Sequence, residues 1–398
     1  MRLGCRGGDL HHALFDFFPL KFRPTPLRLV PMHCAFSIGV GGAHSARVDH
    51  CHVRTSHFAR CHRGAASSLA RQRTWVGELV HRTCSSAQGT GVTETNRYTY
   101  NGFGVAYSKT PATAPLQRPT PALVLVHGFG SSKSHFRRLL APEAFPGMDV
   151  YAIDLLGFGE SEKPTTTAYT MRLYRDQILH FLETQVPQGT PVHLVGNSIG
   201  SLATLMVGAS KEVKTVDLKS LILLNCAGGL NNKGALAKAD WRIKLALPIF
   251  WLIDTILKSP LGPKIFDNVR SEENLRQVLT NLYPSNPSAV DAELVQGFVQ
   301  PAEDPNAFHV FREIYTTDDA GPYPLDILDD VGCSILLLWG TADTLTPSNG
   351  PVGRALRRMA EDERPDCSFV DIDGAGHVFF DERPVETIKE ISQWVARF

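Results

Sequence analysis

Short apolar runs alternate with amphipathic stretches from Tyr98 to the C-terminus, and this alternation constrains the fold more than any other feature of the sequence. Runs of about four mostly apolar residues occur at 123–126, 150–153, 192–195, 221–224 and 335–338, and four of the five are followed directly by a polar or glycine residue. Continuous apolar runs indicate strands that are covered on both faces, as in a parallel sheet. Between them lie amphipathic helical patterns such as 171–182. The sequence predicts an α/β fold with a mostly parallel central sheet flanked by helices.

One interval interrupts the alternation. Roughly 105 residues separate the strand that ends near Asn225 from the strand that starts near Ser334, and their pattern is mainly helical. Because a structureless connection of this length is rare in a compact domain, the interval predicts a helical cap inserted over the edge of the sheet. We expect a transit-like, unstructured segment at 1–95, a first part of the core at 96–227, the cap at 228–332 and a second part of the core at 333–398.

The formal net charge of zero combines two different kinds of sequence. Residues 1–90 hold 12 of the 40 basic residues and only 4 of the 40 acidic residues. Arg-rich, acid-poor sequence before a globular domain is typical of an organelle transit segment. A mispredicted or merely disordered start is one alternative, and a secretory signal with a weak apolar region at 34–40 is another. The remaining residues hold 28 bases and 36 acids, a net charge of −8, which argues against nucleic-acid binding.

Cysteine and histidine are concentrated in the same first 90 residues, which hold five of the eight cysteines and nine of the fifteen histidines. The pairs Cys51-His52 and Cys61-His62 lack the two-residue spacing of a zinc ribbon, and we interpret them as compositional bias. We therefore expect no metal and no cofactor. Three cysteines in the remaining 300 or so residues do not form a disulfide framework, which fits a reducing compartment.

The segment Gly196-Asn197-Ser198-Ile199-Gly200 matches the Gly-x-Ser-x-Gly pattern of a nucleophile on a sharp strand-to-helix turn. Such a turn strains the backbone of its central residue, and a bulky side chain two residues to either side would clash. Gly196 and Gly200 remove those side chains, a strand pattern precedes the segment, and a helix pattern follows it. Ser198 is therefore the candidate nucleophile.

A serine nucleophile needs a general base and an acid that orients the base. His377 follows the last short strand and precedes the C-terminal helical pattern, and it suits the role of base. Asp343 comes just after the apolar run that ends at Trp339 and is the candidate acid. The aspartates nearer to His377 in sequence remain alternatives for the acid: Asp371, Asp373 and Asp381.

An oxyanion hole should come from two backbone N–H groups. One belongs to Ile199, directly after the nucleophile. The other is expected from Phe129 in the loop 127–130, where glycines on either side let the backbone approach a substrate closely. His127 in this loop is a second candidate for the base, but we interpret its role as structural.

These motifs resemble those of the α/β-hydrolase superfamily over about residues 97–398. Within the superfamily the chain is similar to plant and algal plastid hydrolases of the chlorophyll dephytylase and pheophytinase type, at 197–200, 224–228 and 301–307. It departs from them at Ser201, where the subgroup usually has another glycine. It also lacks a Pro-Gln or Pro-His pair after His377.

The resemblance implies a serine esterase that forms an acyl–enzyme at Ser198, with a phytyl or lipid ester as substrate and chlorophyll catabolism as context. It favours the chloroplast, with the mitochondrion as the alternative. We expect substrate contacts from Phe250 and Trp251 in the cap and from Phe379 beside the base, although apolar cap residues also suit the cap's own core. A phytyl ester would require a route to a membrane, which leaves peripheral membrane contact open. The sequence does not indicate an oligomeric state.

Other activities of the same fold remain open. Epoxide hydrolases and haloalkane dehalogenases use a carboxylate at the position of Ser198, which argues against them. Ser-triad C–C hydrolases, peroxidases and acyltransferases are alternatives. A small-molecule receptor derived from a hydrolase is another alternative. The rate of hydrolysis distinguishes the two, because a turnover number above about 1 per second is ordinary for an enzyme, whereas a receptor would hydrolyse slowly or only once.

Overall fold

A computed structural model describes residues 94–115, 119–231 and 247–398, and only the backbone of residues 247–251. The predicted transit-like segment 1–95 lies outside the described residues, apart from its last two positions. The same is true of the two Cys-His pairs. These expectations stay predictions.

The described residues form one eight-stranded sheet with the strand order β1-β2-β4-β3-β5-β6-β7-β8. Strands β1 and β2 pair antiparallel, β2 also pairs antiparallel with β4, and all the other neighbours are parallel. The predicted α/β class with a mostly parallel sheet is therefore confirmed. The strands are β1 Glu94–Tyr100, β2 Phe103–Thr110, β3 Ala122–Val126, β4 Asp149–Ile153, β5 Pro191–Asn197, β6 Asp217–Leu224, β7 Ser334–Gly340 and β8 Cys367–Ile372.

Ten α-helices accompany the sheet in the part of the chain that the structure describes. They are α1 Met171–Thr184, α2 Ile199–Gly208, α3 Leu247–Lys258, α4 Gly262–Val269, α5 Glu272–Leu282, α6 Ala292–Ala302, α7 Ala307–Thr316, α8 Pro351–Arg358, α9 Phe379–Glu382 and α10 Pro384–Val395. Single turns of 3₁₀-helix include Lys133–Phe136. No described helix is both long and apolar enough to cross a membrane.

Both faces of the sheet are buried, and strand β3 shows why its sequence is apolar throughout. Val124 and Val126 belong to the apolar layer on one face, together with α1 and α2. Leu123 and Leu125 belong to the layer on the other face. Successive side chains of a strand point to opposite faces, so a strand covered on both sides needs apolar residues at every position.

Helices α3–α7 lie between β6 and β7, in the interval where a cap is predicted. Two of these helices start with a capping side chain: Ser271 accepts a hydrogen bond from the N–H of Asn274, and Asp291 accepts one from the N–H of Leu294. Arg137 ties this layer to the core, because its guanidinium bonds Asp291 on one side and Asp381 on the other.

His193 in β5 makes the stability of this sheet dependent on pH. Its Nδ1 lies 2.8 Å from Ser220 Oγ, and burial, aided by nearby Lys219, lowers its pKa from 6.5 to about 4. Between these values the unfolded chain binds a proton that the folded chain does not bind. The free energy of unfolding therefore falls as the pH falls from 6.5 toward 4, by up to about 3 kcal/mol for this one group.

Replacing His193 with glutamine is expected to flatten the pH dependence of stability in that window. Urea denaturation at a series of pH values from 7 to 4.5 measures the slope for the wild type and the variant. Any remaining slope would come from other buried groups, such as His127. An unchanged slope would show that His193 does not take up its proton on unfolding.

Candidate active site

Ser198 lies at the sharp turn between strand β5 and helix α2, with φ 57° and ψ −119°. This backbone conformation is strained for a residue with a side chain. A Cβ atom on Gly196 would overlap the carbonyl oxygen of Gly200, and one on Gly200 would overlap that of Val126. The glycines at both positions are therefore required by the close approach of β5, α2 and β3.

Ser201 is a buried support of this turn. Its hydroxyl lies 2.6 Å from the carbonyl oxygen of Gly196 and 3.0 Å from that of Leu224, and the Ser198 N–H donates to the same Leu224 oxygen over 2.9 Å. From the sequence Ser201 is only a departure from the plastid subgroup. In the fold its hydroxyl ties the turn to β6, and glycine at this position would leave those carbonyls without this donor.

The structure brings His377 and Asp343 together, with 2.8 Å between His377 Nδ1 and Asp343 Oδ2. Asp343 Oδ1 accepts the N–H groups of Leu345 and Thr346, and Oδ2 accepts the Thr346 hydroxyl over 2.7 Å. Burial alone would raise the pKa of Asp343. The facing imidazole and these donors outweigh burial and hold the pKa below the ordinary carboxyl value.

The other aspartates near His377 in sequence have different partners in the structure. Their side chains form these pairs: Asp371 with Arg357, Asp373 with Thr341, and Asp381 with Arg137. Of the four aspartates that the sequence offers, Asp343 is thus the one that the structure places against the imidazole.

Asn225 holds the loop that carries His377, and sequence reasoning missed this role. Asn225 is fully buried at the end of β6, with φ 46°. Its Nδ2 donates to the carbonyl oxygens of His377 over 2.9 Å and Gly376 over 3.2 Å, and its Oδ1 accepts the Gly340 N–H. One side chain therefore joins the ends of β6 and β7 to the His377 loop. The sequence did contain one sign of a special turn here: an asparagine directly after an apolar run, since asparagine tolerates positive φ better than most residues.

The loop after β3 lies against the nucleophile, as the oxyanion-hole expectation requires. A Cβ atom on Gly128 would lie 3.1 Å from Ser198 Cβ, closer than most real Cβ contacts, so a larger residue would push the loop away from Ser198. Ile199 is the first residue of α2, where an N–H group has no partner within the helix. Phe129 and Ser198 share the walls of two cavities. The donor roles of Ile199 and Phe129 stay predictions.

His127 has a structural environment. Its Nε2 accepts the Leu155 N–H over 3.0 Å, so its proton lies on Nδ1, which is 2.7 Å from the Gly128 carbonyl oxygen. Burial lowers its pKa, which keeps the ring neutral. Both nitrogens are occupied, and His127 shapes the loop that approaches Ser198.

Ser198 borders two cavities. The larger has a volume of about 650 Å³ and lies between the sheet and the cap, and His377 is part of its wall. Helices α4–α7 supply many of its apolar side chains, including Phe266, Val278, Leu279, Phe298 and Phe311. The arrangement places Ser198 and His377 in the wall of a largely apolar chamber.

The smaller cavity has a volume of about 220 Å³, and Ser198 and Phe129 line it as they line the larger one. Trp339 and Cys226 are part of its wall, and the Trp339 indole N–H donates to the Thr346 carbonyl oxygen over 2.6 Å. Cys226 is a free thiol, fully buried, and burial raises its pKa to about 12. Within the described residues, no group of three or more His, Cys, Asp or Glu side chains is placed to hold a metal ion.

The three expected substrate contacts have different outcomes. Phe250 and Trp251 belong to α3, but their side chains lie outside the described residues. Phe379 is 0% exposed, packs with Phe380 in the apolar layer that contains Leu123 and Leu125, and lines neither cavity, which counts against the expected substrate contact. Val378 lines the larger cavity instead. Short helix α9 starts at this point and turns Phe379 inward.

Comparisons with known proteins agree with the fold. The family model described as "Alpha/beta hydrolase family" matches residues 123–390. The uncharacterized hydrolase YugF of Bacillus subtilis is 28% identical over 309 residues, which are 77% of this chain and 98% of YugF. Lipase 1 of Psychrobacter immobilis is 37% identical over 106 residues, 27% of this chain and 32% of the lipase. A solved membrane phospholipase A superposes with a TM-score of 0.56 at 23% identity, covering 83% of this chain and 91% of that one.

Proposed function

Since the chain belongs to the alpha/beta hydrolase family, we propose that it is an enzyme of the lipase and esterase type that cleaves a carboxylic ester through an acyl–enzyme at Ser198. The observation that carries the proposal is the position of Ser198 at a strained turn in the wall of a chamber that also contains His377. The close contact between His377 and Asp343 supports it further.

The residues suit acyl transfer in two steps. In the first, His377 takes the hydroxyl proton of Ser198 as the oxygen attacks the ester carbonyl, and Asp343 stabilises the imidazolium. His377 then gives this proton to the leaving alcohol, which leaves an acyl group on Ser198. In the second step His377 deprotonates a water molecule that attacks the acyl group, and Ser198 recovers its proton as the acid departs. The N–H groups of Ile199 and Phe129 stabilise the oxyanion in both steps.

The larger cavity supports an apolar ester as the substrate. Its volume of about 650 Å³ falls within the range of about 300–1,000 Å³ that is usual for small-molecule sites. The phenylalanine, leucine and valine side chains of α4–α7 favour burial of a long hydrocarbon group, at about 0.8 kcal/mol for each methylene. The names of a sequence relative, a lipase, and of a structural neighbour, a phospholipase, also favour an apolar ester as the substrate.

A panel of esters tests the proposal with the purified protein. It contains p-nitrophenyl esters of increasing acyl length, monoacylglycerols, lysophospholipids, chlorophyll and pheophytin. We expect repeated turnover, with kcat/KM rising with the length of the apolar group. Absence of turnover on every ester would overturn the esterase proposal, and a single turnover followed by arrest would indicate a receptor-like protein.

Narrowing the larger cavity is expected to shorten the preferred substrate. Val278 lines the cavity on α5, and a tryptophan there would displace about two methylene groups, which lowers kcat/KM for a long ester about tenfold. The ratio of kcat/KM for p-nitrophenyl laurate and acetate measures the effect. Gln277→Trp is the matched control, because this exposed neighbour does not line the cavity. An equal loss on both esters would contradict the placement of the acyl chain.

A narrower proposal is that the substrate is a phytyl ester and that the protein acts in a plastid. The motif likeness at 197–200 and 301–307, the apolar chamber and the Arg-rich, acid-poor composition of residues 1–90 support it. A fluorescent protein fused after residue 95 tests the location in plant cells, with mitochondrial import as the competing outcome. Activity on short esters but not on chlorophyll or pheophytin would remove the phytyl substrate.

A further inference from the structure

We propose that Ser131 is a specificity-determining hydrogen-bond acceptor in the wall of the larger cavity, and that it recognises a free hydroxyl group of the substrate close to the ester that Ser198 attacks. The inference rests on the proposed ester hydrolysis. It assigns the substrate to a class, the partial esters of a polyol.

Four side chains form a continuous row of hydrogen bonds that starts at the cavity and ends in the core. Ser131 Oγ lies 2.8 Å from His135 Nδ1, His135 Nε2 lies 2.9 Å from the Tyr283 hydroxyl, and Tyr283 donates to Asp381 Oδ2 over 2.9 Å. Each of the four residues is less than one-tenth exposed. Ser131 and His135 line the larger cavity, and the other two do not.

The position of each proton in this row can be worked out from Asp381, the residue at the end away from the cavity. Arg137 faces Asp381 with two nitrogens, at 2.9 Å and 3.1 Å, so Asp381 accepts hydrogen bonds. Tyr283 has a single hydroxyl proton and gives it to Asp381, while burial raises its pKa and keeps the phenol protonated. The Tyr283 oxygen can therefore only accept from His135, and the proton of His135 lies on Nε2.

The tautomer of His135 determines the direction of the hydrogen bond that Ser131 makes at the cavity. Burial lowers its pKa to about 4, so the ring is neutral at pH 7 and carries one proton, on Nε2. Its Nδ1 then has no proton and accepts the hydroxyl proton of Ser131. The rings of Phe298 and Phe380, with centroids 5.1 Å and 5.2 Å from that of His135, pack around the imidazole.

Ser131 thus has its only proton committed to His135, and its remaining lone pairs are available to the cavity. A group in this state accepts a hydrogen bond and cannot donate one, so it favours a hydroxyl over an ether or ester oxygen at the same place. The position is close to the chemistry: the Ser131 N–H donates to the Gly128 carbonyl oxygen over 3.4 Å, and Gly128 packs against Ser198. The recognised hydroxyl therefore belongs to a carbon near the ester linkage.

Two matched substrates test the inference. One is monolauroylglycerol, and the other is the same ester with both free hydroxyls methylated. We expect the wild type to prefer the diol in kcat/KM, and Ser131→Ala to lower this preference about tenfold, as for the loss of one hydrogen bond. Ser131→Thr, which keeps a hydroxyl, should restore it.

Tyr283→Phe tests the relay itself, at a residue that does not line the cavity. Without the phenol oxygen, His135 is free to carry its proton on Nδ1, so Ser131 no longer has a fixed role as acceptor. We expect the preference for the diol to fall here as well. Ser132→Ala is the matched control: this neighbouring hydroxyl bonds Ser134 over 2.7 Å and lies outside the cavity wall, so the preference should stay at the wild-type value.

The outcomes separate this inference from the proposed function. Hydrolysis of both esters by the wild type without preference would overturn the role of Ser131 and leave the esterase activity intact. Equal losses on both substrates in Ser131→Ala, with a lower melting temperature, would show that the row of hydrogen bonds only stabilises the loop. If p-nitrophenyl laurate is hydrolysed but neither glycerol ester is, the assignment to partial polyol esters is wrong and the esterase proposal stands. If all three esters are left intact, the proposed function is in doubt as well.

Discussion

Replacement of Ser198 by alanine is expected to lower kcat for ester hydrolysis by about 10⁴-fold to 10⁶-fold, because the acyl–enzyme cannot form. The fold should persist, since alanine removes only a hydroxyl and leaves the strained turn as it is. Substrate should still bind, because the apolar wall of the larger cavity is unchanged. Steady-state kinetics on a p-nitrophenyl ester and labelling with a fluorophosphonate probe measure the loss.

Ser210→Ala is the matched control for this variant. Ser210 follows the same helix, and its hydroxyl accepts the N–H of Glu212 at the surface, away from the cavities. It should hydrolyse and label as the wild type does. Stoichiometric labelling of Ser198→Ala, or activity within tenfold of the wild type, would assign the nucleophile to another residue.

Asp343→Asn is expected to lower kcat by about 10⁴-fold, because it would hold His377 in the tautomer that cannot act as a base. Asp343 Oδ1 accepts two backbone N–H groups, so an asparagine would keep its carbonyl oxygen there and direct its NH₂ group toward His377 Nδ1. The imidazole would then accept at Nδ1 and carry its proton on Nε2, where it cannot take a proton from Ser198. The melting temperature reports whether the loop is intact.

The matched control is Asp373→Asn, at an exposed carboxylate whose side chain pairs with Thr341. It is closer to His377 in sequence than Asp343, and we expect nearly full activity from it. The reverse result, with activity lost at Asp373 and kept at Asp343, would contradict the assignment of the acid.

The inner strands could be predicted from the sequence because each is buried on both faces. The run 123–126 falls within Ala122–Val126, and the run 335–338 falls within Ser334–Gly340. The turn at Ser198 was predictable for a related reason: close packing of backbones admits only glycine at Gly196 and Gly200, which leaves a visible pattern.

The rest of the site depends on contacts between residues that are far apart in sequence. The hydrogen bonds of Asn225 to the His377 loop span about 150 residues, and nothing in the local sequence encodes them. Val378 and Phe379 are adjacent and both apolar, yet the start of helix α9 places one at the cavity and the other in the core. The row from Ser131 to Asp381 likewise forms only when the cap packs on the sheet.

The buried thiol of Cys226 has a consequence for the design of covalent inhibitors. It lines the smaller cavity together with Ser198, the proposed nucleophile, so an electrophilic warhead in this cavity has two side chains to react with. Because burial raises the pKa of Cys226 to about 12, the thiol holds its proton at neutral pH and is a poor nucleophile. Carbamates and phosphonates that enter this cavity should therefore modify Ser198 selectively, and iodoacetamide should spare the site.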